Sequence, residues 1–197
     1  MTIEQRTNRI SPHEILDLGD YERRRDEIRA SAMGARRERR IALGPNATLT
    51  FENRETVRYQ IQEMLRAERI ARPAEVEHEI ETYSDLLPTG CELSATLMLE
   101  FPDEFERVQK LTALRGFDEH LRLDVGGSAA PARFDRRQIG EERLSSVQFV
   151  RFPLTSAQCD ALRRGAALRV VSDHPAYPHA TTIDAAAARA IASDLEP

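Results

Sequence analysis

The sequence has no tryptophan, a single lysine (Lys110), two cysteines, and aromatic side chains at only 6% of positions. Each shortage excludes something. With so few rings, the core has to be built mainly from Leu, Ile, Val and Ala. Cys91 and Cys159 form no CxxC pair and no zinc spacing. Two distant cysteines in an arginine-rich chain fit a reducing, cytoplasmic setting. No run approaches ~18 apolar residues, so no membrane span is expected. Residues 1–16 lack the apolar stretch of a secretory signal. No Walker loop, dinucleotide fingerprint, G-x-S-x-G elbow or H-E-x-x-H spacing occurs, which removes the commonest catalytic signatures.

What is present is ordinary in bulk: 197 residues, 41% hydrophobic, 31% charged, net charge −5. That length fits one globular domain over residues 1–197, with about 1–10 flexible. A negative net charge argues against wholesale nucleic-acid binding. Since nearly every cation is arginine, the chain is suited to forked recognition of carboxylate or phosphate; a GC-rich genome gives the same composition.

The order of local signals predicts an α+β fold. Ser11-Pro12-His13-Glu14 is a capping box that opens a short helix ending near Gly19. A long, highly charged N-terminal helix follows over 21–39, its inward stripe being Tyr21, Arg25, Ile28, Ala32 and Ala35. Two short strands flank Gly44-Pro45-Asn46. Helices are expected over 54–70, capped by Asn53, and over 74–86 after Pro73. Leu93, Ala95, Leu97, Leu99 and Phe101 alternate as a strand with one buried face. A helix beginning at Pro102-Asp103 should pack Phe105, Val108 and Leu111. Strands are expected at 121–125, 147–154 and 168–171, a short helix after Thr155, and a terminal helix over 184–195. Residues 128–142, rich in Ala, Pro and Arg, lack periodicity and read as a surface loop. Together these predict a mostly antiparallel sheet of about four to six strands packed with helices.

Four segments are distinctive in combination: Phe51-Glu52-Asn53-Arg54-Glu55-Thr56, residues 62–69 (QEMLRAER), residues 92–101 (ELSATLMLEF) and Asp173-His174-Pro175-Ala176-Tyr177. Together they resemble an uncharacterised bacterial family, domain of unknown function 3501, over about residues 15–195. The resemblance implies no known activity. It does imply a context, because such proteins look like companions of rubrerythrin-like and iron–sulfur, heterodisulfide-reductase-like proteins in gene clusters. The implied role is an accessory protein of redox or iron handling, with a rubrerythrin-like or iron–sulfur oxidoreductase as partner.

Candidate site residues come from carboxylates and from one stiff segment. Glu68 projects into the apolar face made by Val57, Ile61, Met64 and Leu65, where a charge needs a partner, a proton or a metal. Arg25 is its candidate ion-pair partner. Gln60 and Glu63 stand one helical step apart and could form the polar rim of the same site. After the last strand, Asp173-His174-Pro175-Ala176-Tyr177-Pro178-His179 places acid, imidazole and phenol on a segment stiffened by two prolines. Two function classes follow. The first is an accessory protein docking through the arginine clusters of the long helix. The second is an enzyme or metal-binding protein with Glu68, Asp173, His174 and Tyr177 as acid–base groups and Glu63, Glu68 and His174 as metal ligands. Nucleic-acid binding through the same arginines is a weaker third, since no aromatic is interleaved for stacking.

Overall fold

The computed structural model describes residues 9–135 and 143–195. Contacts group the chain into two compact units, Met1–Arg37 with Glu52–Leu87 and Glu38–Phe51 with Pro88–Pro197.

The first unit is helical. Its capping box at Ser11 forms, but it starts only a single 3-10 turn, Pro12–Glu14, before the chain extends at Ile15. The long helix α1, Leu18–Arg39, begins three residues earlier than its charge pattern indicates. The reason is that Asp17 caps it, accepting the Asp20 N–H at 2.8 Å. Its inward stripe is as expected: Tyr21 and Ala32 are buried, and Arg25, Ile28 and Ala35 are half-buried. Helix α2, Arg54–Glu68, starts at a capping box between Asn53 and Thr56 and ends at Arg69, which turns left-handed at φ 55°. Helix α3 spans Pro73–Ser84. The buried side chains here include Tyr21, Val57, Ile61, Leu65 and Ile80.

The second unit holds two antiparallel sheets. The first joins β1 (Arg40–Leu43), β2 (Ala47–Phe51), β3 (Glu92–Leu99), β7 (Val147–Pro153) and β6 (Arg133–Phe134) in the order β1-β2-β3-β7-β6. The second joins β4 (Leu121–Val125), β5 (Ser128–Pro131), β8 (Leu168–His174) and β9 (Tyr177–Thr182) in the order β5-β4-β8-β9. Helices α4 (Glu104–Ala113), α5 (Ser156–Arg163) and α6 (Ala185–Ala192) complete the unit. One hydrophobic cluster runs through both sheets, including Leu49, Leu97, Val150, Phe152, Leu123, Val170 and Ile191. The fold is thus α+β with antiparallel pairing throughout, its strands divided between two sheets.

Three local expectations change. Residues 128–134 are not loop but β5 and β6; residues 136–142 lie outside the described chain. Gly126 and Gly127, at φ 58° and 89°, make the tight reversal that returns β5 alongside β4. The Pro-rich stretch after β8 is a hairpin, with His174 opposite Tyr177. Its return strand β9 is a sheet edge, where Pro178 costs no ladder bond. Finally, Phe105 and Val108 are not core: they are 73% and 43% exposed, and α4 buries Leu111 instead.

Candidate functional site

In the first unit the inward carboxylate is not Glu68. Glu68 is exposed, because α2 stops there and the apolar face it continues is no longer covered in the last turn. Arg25 pairs with Glu63 instead, as a fork: Nε to Oε1 at 2.8 Å and Nη2 to Oε2 at 2.9 Å. The buried Tyr21 hydroxyl donates to the same Oε1 at 2.6 Å. The hydrogen-bonded Arg25 guanidinium, opposed by burial and aided by Tyr21, holds the Glu63 carboxyl down at about 2. Burial, and then this carboxylate, push the Tyr21 phenol upward. Glu63 is therefore an ion-pair partner, both oxygens of its carboxylate engaged by Arg25 and one of them also by Tyr21. A deeper carboxylate, overlooked in the sequence, is Glu52. It is 2% exposed and accepts the Thr56 hydroxyl and, at 3.1 Å, the Gln60 amide. It sits just before the α2 N-terminus, where a negative charge is favoured. A shallow cleft of this unit is lined by Arg24, Arg58, Tyr59 and Gln62, with Glu14 at its edge. Arg54 engages that glutamate and lowers its carboxyl pKa.

The second unit brings Asp173, His174 and Tyr177 into one neighbourhood, but in different roles. Strand alternation sends Asp173 to the exposed face of its sheet and His174 to the buried face. His174 is fully engaged: its Nδ1 accepts the Ala176 N–H at 3.2 Å, so its Nε2 is the donor to the Arg115 carbonyl at 3.0 Å. Its ring packs against Phe117. The Tyr177 hydroxyl donates to the Leu43 carbonyl at 2.7 Å and accepts the Asn46 N–H at 2.9 Å, pinning β9 to the β1–β2 turn. Burial raises its pKa. At that turn Gly44 is at φ +65°, and a Cβ there would come within 2.6 Å of the His179 ring. His174 and Tyr177 thus hold the hairpin in place, with their polar atoms spent on backbone.

The group that stays open is His120. Asp173 lies across the β4–β8 pairing from it, and its Oδ1 is 2.7 Å from His120 Nδ1. Arg122, two residues on and therefore on the same face, bonds the other carboxylate oxygen. The hydrogen bond from His120, followed by that from Arg122, lowers the Asp173 pKa. An ionised Asp173 can only accept, so His120 carries a proton on Nδ1 and turns its Nε2 away from the carboxylate. That Nε2 has no hydrogen-bond partner among the described residues. The His174 ring meets the His120 ring edge-on, 5.1 Å between centroids. The side chains of the pair are 36% and 54% exposed.

Glu63 and Glu68 belong to the first unit, and Asp173, His174 and Tyr177 to the second, so neither unit by itself assembles the whole expected set. Among the described residues no group of three or more His, Cys, Asp or Glu is placed to hold a metal ion. The arginine clusters of α1 are largely committed to acids of the chain. Arg23 pairs with Asp20, Arg24 with Glu27, Arg25 with Glu63, and Arg39 with Asp194. His120 was hidden in the sequence because only the β4–β8 register places it opposite Asp173, and nothing local encodes that register.

A family model described as "Protein of unknown function (DUF3501)" matches residues 9–195. A crystal structure of a novel protein of unknown function from Burkholderia pseudomallei K96243 is 33% identical, with a TM-score of 0.89 over 95% of this chain and 99% of that one. No curated protein matches the chain. Among the described residues, no helix is long and apolar enough to cross a membrane.

Proposed function

The chain belongs to the DUF3501 family of proteins of unknown function, and from that premise we propose that it is a cytoplasmic accessory protein of a bacterial redox or iron-handling system, working by contact with a partner protein. The class of partner, rubrerythrin-like or an iron–sulfur oxidoreductase, comes from the gene companions that the family resemblance implies. One observation carries the contact reading. Phe105 is 73% exposed and Val108, one turn along α4, is 43% exposed, although the neighbouring Leu111 is buried. A large ring held out in water on a stable helix, rimmed by Glu104, Glu106, Arg107 and Lys110, has the form of a hot-spot anchor. The docking face is therefore moved from α1, whose arginines are mostly paired internally, to α4.

The test is pull-down and titration against purified rubrerythrin-like and iron–sulfur candidates. Phe105→Glu should weaken a complex at least about tenfold while leaving the unfolding midpoint nearly unchanged, since the ring is not core. A complex that tolerates Phe105→Glu, or no complex at micromolar concentration, would defeat the reading.

A second reading, acid–base or ligand chemistry in the second unit, is favoured by the free His120 Nε2 alone. Nitrogen-15 NMR should find His120 as the Nδ1–H tautomer, and Asp173→Ala should return it toward Nε2–H. An Nε2–H imidazole in the unmodified protein would end this reading.

A further inference from the structure

The two cysteines are 68 positions apart in the sequence, yet the fold brings them together. Cys91 immediately precedes β3, and its carbonyl accepts the Leu154 N–H at 2.8 Å, extending the β3–β7 ladder by one step. Thr155 then caps α5, with its hydroxyl accepting the Gln158 N–H at 3.2 Å. The first turn of that helix closes with the Cys159 N–H on the Thr155 carbonyl at 2.9 Å. Strand end and helix start therefore carry Cys159 back into the neighbourhood of Cys91, and Cys91 is among the groups that perturb the Cys159 thiol. Both are free thiols; Cys159 is fully buried and Cys91 is half-buried. Arg151 is paired with Glu92, which offsets the one acid adjoining Cys91 in the chain.

We propose that Cys91 and Cys159 form a two-electron redox site, closing to a reversible intramolecular disulfide when the protein meets a hydroperoxide. The chemistry divides by exposure. The Cys91 sulfur, reachable from solvent, attacks one peroxide oxygen; the O–O bond breaks, an alcohol or water leaves, and Cys91 becomes the sulfenic acid. The Cys159 sulfur, its neighbour in the fold, then attacks that sulfur. The S–O bond breaks, the hydroxide leaves as water with the Cys159 proton, and the S–S bond forms. In sum two thiols are oxidised and one peroxide is reduced, with two thiol protons ending in the released water or alcohol. Burial first, and the neighbouring Cys91 thiol second, raise the Cys159 thiol to about 11. Cys159 thus keeps its proton and is poorly suited to react first, which fixes the order of the two steps. The resolving thiol is enclosed in the same core as its partner, so the sulfenic acid is captured before further oxidation.

This inference is independent of the docking reading, since neither cysteine lies on α4. Its test uses the full chain treated with a small excess of hydrogen peroxide and digested without reductant. The expected product is a single cross-linked peptide pair joining Cys91 and Cys159, abolished by a dithiol reductant and by either Cys91→Ser or Cys159→Ser. In Cys159→Ser, the Cys91 sulfenic acid should persist long enough for a dimedone adduct. Closing a loop of nearly seventy residues should also raise the melting temperature of the oxidised protein by several degrees. Peroxide-treated wild-type protein whose two thiols both still alkylate after unfolding would overturn the proposal. So would one in which Cys91 runs on to sulfinic acid with no cross-link.

Discussion

Asp194→Ala is expected to cost about 3–5 kcal/mol of folding free energy, the loss that follows when one side of a buried ion pair is removed. Arg39 and Asp194 are 8% and 9% exposed, and they meet as a fork, Nε to Oδ2 at 2.7 Å and Nη2 to Oδ1 at 3.0 Å. The same Nη2 reaches the Ala190 carbonyl at 3.1 Å, so a single guanidinium ties the last residue of α1 to the C-terminal end of α6. Removing the carboxylate takes the two-point partner from a buried guanidinium that cannot shed its proton. Arg39→Lys should recover little, because an ammonium cannot make the planar two-point contact. The joint replacement Arg39→Met/Asp194→Leu should recover most of the loss, since no charge is then left buried. Urea unfolding of the three variants beside the wild type measures this directly; an Asp194→Ala loss below about 1 kcal/mol would show that the pair does not tether the two helix ends.

The second large effect is pH-dependent stability from Glu63. Its carboxyl is held at about 2 by Arg25 and Tyr21, whereas an unfolded glutamate titrates near 4.3. A depressed folded pKa means the unfolded chain takes up the proton first as pH falls. The stabilisation is therefore complete above about pH 5, shrinks as pH drops below 4, and is gone below about 2. The full shift corresponds to about 3 kcal/mol; with the Glu63 side chain 27% exposed, screening reduces this, and about 2 kcal/mol is expected. Glu63→Gln should accordingly lower stability by about that amount at pH 7, and the gap to wild type should close progressively toward pH 2. A gap that stays constant across this range would mean that the charge of Glu63 does not carry the effect.

How far the sequence could be read depends on the range of the interaction. The capping residues Ser11, Asn53, Asp103 and Thr155 were legible because each bonds an amide within three residues. The alternation of Leu93, Ala95, Leu97 and Leu99 was legible because one buried sheet face repeats every second residue. Helical spacing gave the stripe Tyr21, Ala32 correctly but failed at its margins. It placed Glu68 inside, although the last turn of α2 has no cover, and it placed Phe105 inside, although α4 buries only its Leu111 side. Periodicity states which residues share a face; it does not state how far along the element that face is covered.

The sequence by itself determined the α+β class, the long charged α1, most of the helices and the longer strands, and the family. These rest on local propensity, caps and period, which each segment carries within itself. Only the tertiary structure decided which charged and sulfur groups meet: Arg25 with Glu63 and not Glu68, His120 with Asp173, Arg39 with Asp194, and Cys91 with Cys159. Those meetings depend on strand register and on helix packing across dozens of residues, where a shift of one position in a strand turns a side chain to the opposite face.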